Sequence, residues 1–332
     1  MSLIIHHPGL LTTVQDAGRQ GFLQYGVTES GAMDTYALRI ANLLAGNSER
    51  AAALELTLNG GSFEFAEDML IAVCGADMSA AIGSVAVPMW KPVFVRKGSV
   101  MSFGRAVSGC RTYLAAAGGL DVTEVMGSAG TYLRGGFGGY GGRALQKGDH
   151  LRTGAKSDWS LRQIAQLSGR CGEREFAAAA WSAGSIQVVS YLYQPFVRAM
   201  RGHEFDLFKA ESRELFFDGI FRVESPSDRM GYLLSGERLS LTAPQEAISE
   251  AVAFGTVQVP PSGSPIVLMA DHPTTGGYPR IAQAAFVDLP VLAQTKPGES
   301  VRFREITLAE AQRLYAVKEM EIRQLREAIS LK

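Results

Sequence analysis

Short apolar stretches bounded by turn residues dominate the chain, which contains 37 glycines and 13 prolines. In many of these stretches apolar and polar positions alternate, as they do in a β-strand with one buried face. One phrase, a glycine turn followed by an alternating stretch, occurs at residues 97–103, 147–153 and 297–303. The pattern predicts a mainly β protein, and the occurrence of this phrase in both halves favours two barrel-like domains.

Two segments follow a helical pattern instead. Residues 35–45 place apolar side chains on one face, with Asp34 at the predicted N-cap and Gly46 at the predicted C′ position. Thr307 and Glu310 form a predicted capping box ahead of a long amphipathic stretch. We expect that second helix to close the chain on the outside of a barrel.

The chain is 332 residues long, about twice the usual size of one domain, so we expect two domains. Between residues 155 and 183 the strand periodicity is lost and charged residues accumulate. We therefore predict an N-terminal barrel-like subdomain at 1–155, a linker at 156–183, and a C-terminal barrel-like subdomain with the closing helix at 184–332.

Composition and charge exclude several function classes. The chain has 32 Lys+Arg against 33 Asp+Glu and no basic block, so we expect no nucleic-acid or membrane partner. Polar residues interrupt the uncharged stretch at 176–197, which argues against a membrane span. The three cysteines lack metal-site or disulfide spacing, and the first residues do not resemble a signal peptide. These features favour a cytoplasmic protein with no metal site.

Motifs for nucleotide-binding loops, zinc proteases, serine hydrolases and dinucleotide folds are absent from the sequence. A Met-Lys-Met site is also absent, so we expect no covalently attached biotin in this chain. The glycine-rich segment at 135–142 permits two interpretations, a tight or mobile turn and a loop that presents backbone N–H groups to an anion.

Several phrases carry a specific resemblance. They are PGLLTTVQDAGR at 8–19, GVTESGAMD at 26–34, GGFGG at 135–139, SDRMGY at 227–232 and DHPTTGGYP at 271–279. With these, the chain resembles the biotin-dependent carboxyltransferase family, which includes the C subunit of 5-oxoprolinase and the second subunit of allophanate hydrolase. The matching phrases extend over nearly the whole chain.

The resemblance implies two cyclophilin-like β-barrel subdomains with a few short helices, within a larger enzyme. Because the chain carries neither an ATP-grasp region nor a biotin carrier, it is most similar to a free-standing C subunit of 5-oxoprolinase. The implied reaction is ATP-dependent opening of 5-oxo-L-proline to L-glutamate, together with a B-type second barrel subunit and an A-type protein. Which subunit supplies the ATP site is left open.

Two alternatives also follow from the family. One is carboxyl transfer from carboxybiotin to urea or a related amide, which requires a separate biotin carrier. The other is a noncatalytic antagonist that binds a kinase-inhibitor protein, in which the pocket residues would have no catalytic role.

A dense polar set follows the predicted strand at 266–270, and sites are often built on loops that a rigid scaffold holds. Asp271 could accept a proton in catalysis. The structural alternative is a glycine turn closed by an Asx hydrogen bond, and His272 alone is a weak candidate. The predicted substrate-binding residues of this loop are Thr274, Thr275, Gly276, Gly277 and Tyr278.

A second predicted substrate loop contains Ser30 and Gly31 and precedes Asp34. Backbone dipoles at a helix N-terminus favour a substrate carboxylate, and Asp34 could belong to the catalytic set, cap the helix, or do both. Arg229 is the third predicted catalytic residue, because its planar fork suits a carboxylate or phosphate. The structural alternative for Arg229 is a surface ion pair with Asp228.

We expect both loops and Arg229 to face one cleft, because pockets form preferentially where domains meet.

The sequence departs from the family pattern at two places. The segment at 127–131 lacks an arginine, so an anion contact there would be lost or pass to Arg134. His203 and Glu204 stand where a Pro-Gln pair is common, and we expect this change to alter only a loop. Sequence alone assigns no role to Glu55, Glu250, Lys91 or Lys147.

Overall fold

The computed structural model describes residues 2–183, 196–243 and 248–332. The predicted mainly β class is confirmed. Contacts group the chain into two compact units. The first unit comprises Met1–Arg19, Asp34–Val189 and Ile322–Lys332, and the second comprises Gln20–Met33 and Ser190–Glu321. The predicted division at 1–155, 156–183 and 184–332 stays a prediction, and residues 184–195 lie outside the described residues.

Antiparallel strands form two six-stranded sheets in the first unit. The strands are β1 (Ser2–His7), β2 (Leu11–Gln15), β3 (Ala53–Thr57), β4 (Ser62–Phe65), β5 (Met69–Asp77), β6 (Ala81–Ile82), β7 (Val85–Ala86), β8 (Val93–Val95), β9 (Val100–Ser102), β10 (Ser108–Ala116), β11 (His150–Arg152) and β12 (Phe176–Ala178). Their orders are β11-β1-β4-β9-β6-β7 and β12-β8-β5-β10-β3-β2. One hydrophobic core takes side chains from both sheets, such as Phe63 from the first and Val73 from the second.

Two helices accompany these sheets, α1 (Thr35–Ala45) and α2 (Asp158–Cys171). Helix α1 has its predicted bounds, with Asp34 as N-cap and Gly46 in the left-handed region at its C-terminal end. Helix α2 lies in the segment predicted to be a linker and was missed by the sequence patterns. Its residue Leu167 packs against Leu70 of β5 and Phe94 of β8. Strand β5 is therefore apolar on both faces, because one face meets the core between the sheets and the other is covered by helices.

The second unit is built on a closed seven-stranded barrel. The strands of this unit, which include two outside the barrel, are β13 (Phe196–Arg201), β14 (Phe221–Val223), β15 (Gly231–Ser235), β16 (Glu250–Ala251), β17 (Thr256–Gln258), β18 (Ile266–Leu268), β19 (Thr275–Gly276), β20 (Arg280–Ala284) and β21 (Ser300–Glu305). The barrel order is β13-β20-β17-β18-β15-β14-β21, and β16 with β19 forms a separate two-stranded ribbon. Parallel pairing of β13 with β21 contributes to closure.

Aromatic side chains fill part of the barrel core. Phe216 and Phe303 stack with ring centroids 4.6 Å apart, and Phe221 lies edge-on to Phe303. Each is almost completely buried, which stabilises the fold by about 1.5–3 kcal/mol per side chain. Among the described residues, the remaining α-helices are α3 (Ala210–Asp218), α4 (Leu289–Gln294) and α5 (Leu308–Ser330).

The three recurring phrases adopt one local structure. Gly98, Gly148 and Gly298 all have φ between 83° and 88°, a conformation that glycine adopts at little cost. Each glycine N–H donates to a carbonyl of another strand region, and strand β9, β11 or β21 starts two residues later. The predicted glycine turns before strands are confirmed in both units.

The predicted capping box of the last helix is also present. The backbone N–H of Glu310 donates to the Thr307 hydroxyl at 3.2 Å, and the Thr307 N–H donates to the Glu310 carboxylate at 3.3 Å. Helix α5 follows and is largely exposed over its middle turns. Among the described residues no helix is long and apolar enough to cross a membrane, and most of the 176–197 stretch lies outside them.

Candidate functional site

Four predicted site residues form one hydrogen-bonded cluster in the second unit. The Arg229 guanidinium binds both carboxylate oxygens of Asp271, with Nε and Nη2 each 2.9 Å from an oxygen. The Ser30 hydroxyl donates to Oδ1 of the same carboxylate at 2.6 Å. Nη2 of Arg229 also donates to the Gly31 carbonyl at 2.6 Å. Residues separated by about 200 positions in the sequence are therefore joined by side-chain contacts.

Backbone structure places these side chains. Asp271 follows strand β18 by three residues, and its N–H donates to the Arg229 carbonyl at 2.7 Å. Arg229 precedes β15, which pairs with β18. The two residues therefore come from neighbouring barrel strands, and their pairing depends on the barrel register rather than on sequence proximity.

The cluster is shielded from water. Arg229 is 4% exposed, Asp271 is 3% exposed and Ser30 is 8% exposed. Burying a charged group is costly unless it is paired and hydrogen-bonded, and a bidentate Arg–carboxylate pair meets both needs. Arg229 is therefore not in the surface pair with Asp228 that we had considered. Asp228 instead accepts from the N–H of Met230 at 2.7 Å.

The backbone of Ser30 adopts a strained conformation. Its φ is 53°, and the next residue, Gly31, has φ 80°. A non-glycine residue in the left-handed region costs about 1–3 kcal/mol and persists only where its surroundings enforce it. Here the hydrogen bonds from Ser30 to Asp271 and from Arg229 to Gly31 provide that enforcement.

His272, a weak candidate from sequence alone, follows Asp271 in this site. Its imidazole is 2% exposed, and Nδ1 lies 2.7 Å from the Pro273 carbonyl. A carbonyl oxygen can only accept, so Nδ1 carries the proton and the Nε2 lone pair can accept one. Burial lowers the pKa of His272, although Glu29 and Asp271 oppose this effect. A buried, neutral imidazole beside a fixed carboxylate can act as a base near neutral pH.

The predicted substrate loop continues from this cluster into the ribbon. Thr275 and Gly276 form β19 and pair with β16. The Tyr278 carbonyl accepts from the Gln258 side chain at 3.0 Å, while the Tyr278 side chain is 47% exposed. Thr274 and Gly277 are partly exposed. The loop thus presents hydroxyl and backbone groups at the surface, and its substrate-binding role stays a prediction.

Contacts group Asp34 with the first unit. Its carboxylate accepts from the Ala37 N–H at 2.8 Å, which is the capping role that we predicted. Its own N–H donates to the Tyr113 hydroxyl at 2.8 Å. The catalytic role predicted for Asp34 stays a prediction.

Glu55 belongs to the same buried network. The Tyr113 hydroxyl donates to Glu55 at 2.7 Å, and the Arg111 guanidinium lies 3.9 Å from the other carboxylate oxygen. Burial raises the pKa of Tyr113 well above its ordinary value, and the charges of Glu55 and Asp34 raise it further. Tyr113 therefore remains protonated and serves as a hydrogen-bond link in the first unit.

The glycine-rich segment folds upon itself. The N–H groups of Gly136, Gly139 and Gly142 donate to backbone carbonyls of the same region. A Cβ on Gly138 would lie 2.1 Å from the Gly130 carbonyl oxygen, so only glycine fits there. These contacts favour the interpretation as a tight structural turn over the anion-binding interpretation.

The Arg19 guanidinium meets this region, whereas Arg134 is exposed. Arg19 is fully buried, donates to the Gly130 carbonyl at 2.7 Å and lies 4.8 Å from the Phe137 ring centroid. Asp16 accepts from Ser128 and from the Ala129 N–H, both at 2.8 Å. The phrases around residues 16, 129 and 137 thus meet in one buried polar network.

The departure at residue 204 changes more than a loop, contrary to our expectation. The Glu204 carboxylate accepts from Nε of Arg280 at 2.8 Å and from the Arg280 N–H at 2.9 Å. Glu250, which the sequence left unassigned, also pairs with Arg280. Sequence patterns could not show this, because the three residues meet only after the barrel has formed.

The family model described as carboxyltransferase domain, subdomain A and B, matches residues 25–305 of the chain. Among curated relatives, the C subunit of 5-oxoprolinase from Haemophilus influenzae is 36% identical over 326 residues, which is 96% of each chain. The protein of the same name from Escherichia coli is 40% identical over 309 residues, 93% of each chain.

Larger proteins contain a similar region. Urea amidolyase of Saccharomyces cerevisiae is 31% identical in an alignment of 338 positions that covers 96% of this chain but 17% of that protein. The crystal structure of the K. lactis urea amidolyase superposes with a TM-score of 0.85 at 29% identity, over 98% of this chain. The chain spans one fifth of the length of that structure.

Proposed function

The chain belongs to the carboxyltransferase family of subdomains A and B, and from that premise we propose that it is one component of an ATP-dependent 5-oxoprolinase. The carrying observation is the reciprocal coverage, since the chain and two proteins named as the C subunit of 5-oxoprolinase match over at least 93% of both lengths. The reaction would open 5-oxo-L-proline to L-glutamate in an assembly with A-type and B-type partner proteins in the cytoplasm.

The chemistry of the substrate explains the need for ATP. A lactam amide resists hydrolysis, and transfer of the γ-phosphoryl group to its oxygen makes the carbon more electrophilic. Addition of one water to that carbon and cleavage of the C–N bond then give an acyl phosphate and the free amine. A second water hydrolyses the acyl phosphate to the γ-carboxylate and phosphate. The contribution of this chain would be positioning and charge stabilisation.

The geometry supports a refined division of roles in the second unit. Because Asp271 is held by Arg229 and Ser30, we propose that this cluster fixes the loop and its electric field instead of exchanging protons. His272, next in sequence and neutral, is the proposed proton acceptor. The Thr274 and Thr275 hydroxyls would orient the lactam or carbonyl oxygen.

The N–H groups of Gly136, Gly139 and Gly142 in the glycine-rich segment donate within their own region, which argues against binding of the triphosphate of ATP there. We therefore assign no ATP contact to that segment and derive no step through ATP in this chain. A site contributed by a partner protein is consistent with the proposed assembly.

The proposal is tested by purifying the full chain with its A-type and B-type partners. We expect ADP and glutamate to form from ATP and 5-oxo-L-proline with the assembly but not with this chain alone. Failure to form glutamate in any assembly would contradict the proposal.

One observation favours a second candidate, carboxyl transfer to urea or a related amide. The fold matches urea amidolyase with a TM-score of 0.85 over nearly the whole chain. The same assembly should therefore be assayed with urea, bicarbonate and a separate biotin carrier. Urea-dependent ATP hydrolysis without glutamate formation would favour this candidate.

A further inference from the structure

The ribbon of β16 and β19 carries part of the proposed substrate loop but stands apart from the barrel sheet. Glu250 pairs with Gly276, and Ala251 pairs with Thr275. Glu250, Ala251 and Thr275 are exposed. A two-stranded ribbon of this length is marginally stable by itself, so other contacts must fix its position.

Side-chain packing against β16 is incomplete. A cavity of about 330 Å³ is bordered by Ala251 and Val252 near the ribbon and by Thr256, Arg280 and Gln283 from the barrel. Open space on this side leaves the ribbon dependent on polar contacts.

Arg280, the first residue of β20, makes those contacts. Its Nε and Nη2 donate to Glu204, its Nη2 also donates to Glu250, and its Nη1 donates to the Ala251 carbonyl at 3.2 Å. One guanidinium thus joins Glu204, which follows β13, to both residues of β16.

We propose that Arg280 is a positioning residue, which locks the ribbon to the barrel so that Thr275 and Gly276 are held where the substrate would meet them. The planar fork of arginine suits this role, because it can serve two carboxylates and a carbonyl in one fixed geometry. The part of this inference that concerns substrate rests on the proposed function.

The two carboxylates contribute differently. The Glu204 side chain is 19% exposed, whereas that of Glu250 is 58% exposed. The hydrogen bond from Arg280 lowers the pKa of Glu204, so this partner stays ionised. Glu250 is the more exposed partner and belongs to strand β16 of the ribbon. Its substitution therefore tests the attachment of the ribbon to Arg280 while the pair of Glu204 with Arg280 is retained.

The first experiment measures amide hydrogen exchange of the full chain without partners. In Glu250→Gln we expect peptides covering 248–252 and 274–278 to exchange about fivefold to tenfold faster than in the unmodified chain. Glu321→Gln is the matched control, because Glu321 forms an exposed pair with Lys318 within helix α5, and neither residue borders the cavity. Equal exchange in Glu250→Gln and the unmodified chain would overturn the lock.

The second experiment uses the assembled enzyme. We expect Glu250→Gln to raise KM for 5-oxo-L-proline about threefold to tenfold, with kcat within about twofold, because the loop is displaced while the proposed proton acceptor is intact. Faster ribbon exchange with an unchanged KM would overturn the positioning role. If the unmodified assembly makes no glutamate, the proposed function fails, and the exchange experiment still decides whether Arg280 locks the ribbon.

Discussion

Each unit buries an aspartate and an arginine, but the described contacts of the two pairs differ in kind. In the first unit, Asp16 accepts from a hydroxyl and backbone N–H groups, while Arg19 donates to a carbonyl and stacks on a phenyl ring. In the second unit, Arg229 and Asp271 bind each other directly.

The difference shows that buried aspartate and arginine residues from different family phrases can have different physical roles. The neutral partners of Asp16 and Arg19 join distant loops, which is a structural function. The mutual pair of Arg229 and Asp271 concentrates charge beside His272 and the proposed substrate loop. Buried charge pairs add little to stability when compared with apolar replacements, so their retention favours a functional role as a hypothesis.

The largest expected effect comes from breaking the charge pair. Arg229→Met leaves the Asp271 carboxylate buried without its main partner, which should lower the free energy of unfolding by about 3–5 kcal/mol. Urea unfolding of the full chain measures this. The double variant Arg229→Met with Asp271→Leu should lose less, because no unpaired charge remains. If Arg229→Met were as stable as the unmodified chain, the charged pair of the second unit would not differ from the network of the first unit in its effect on stability.

The first-unit network should respond less strongly. Asp16→Asn places an amide donor against the Ala129 N–H or the other donors, with an expected loss of about 1–3 kcal/mol in unfolding free energy. Ser128→Ala removes one of the donors and should cost about 1 kcal/mol in the same urea assay. A loss for Asp16→Asn as large as that for Arg229→Met would show that neutral and charged partners are equivalent here.

Ser30 tests how strain and hydrogen bonding combine in the second unit. Ser30→Ala keeps the unfavourable positive φ and loses the bond to Asp271, at a cost of about 1–2 kcal/mol. Ser30→Gly loses the same bond but relieves the backbone, so it should be the more stable variant. Thermal unfolding of both proteins decides the order, and a less stable glycine variant would contradict the strain argument.

The smallest expected effect concerns pH. Because burial lowers the folded-state pKa of His272, its contribution to stability is complete above the unfolded pKa of about 6.5 and is lost as the pH falls through the folded pKa. The stability difference between the unmodified chain and His272→Gln should therefore be larger at pH 7.5 than at pH 5. The exposed His150→Gln is the control, and a difference independent of pH would contradict burial of a neutral imidazole.

Local sequence patterns predicted the local structure well. The caps of α1, the capping box at Thr307 and the three glycine turns follow from residue types a few positions apart, and each is present. We expected the Ser30 loop and the Asp271 loop to face one cleft, and a hydrogen bond joins Ser30 to Asp271. The partner of Arg229 was not anticipated, because Asp228 is adjacent in sequence while Asp271 becomes adjacent only through strand pairing.

Local sequence patterns also do not predict which segments pack together in one unit. Nothing in the composition of residues 20–33 shows that they pack with the second unit. Helix α2 did carry local signals, a Ser157 N-cap and buried positions at helical spacing, which the linker interpretation overlooked. Glu204, Glu250 and Arg280 meet through the barrel and its ribbon. Contacts between distant segments depend on topology, which periodicity within one segment does not encode.

Each unit is assembled from segments that are distant in the sequence, and this has a consequence for synthesis on the ribosome. Ser30 is made early, but its partner Asp271 follows 241 residues later, so the second unit cannot complete its contacts until most of the chain has emerged. The first unit also waits, because the Trp159 indole donates to the Ile329 carbonyl. Neither unit can finish folding as an early, separate domain, and nascent chains of intermediate length should therefore expose unpaired strands that attract chaperones.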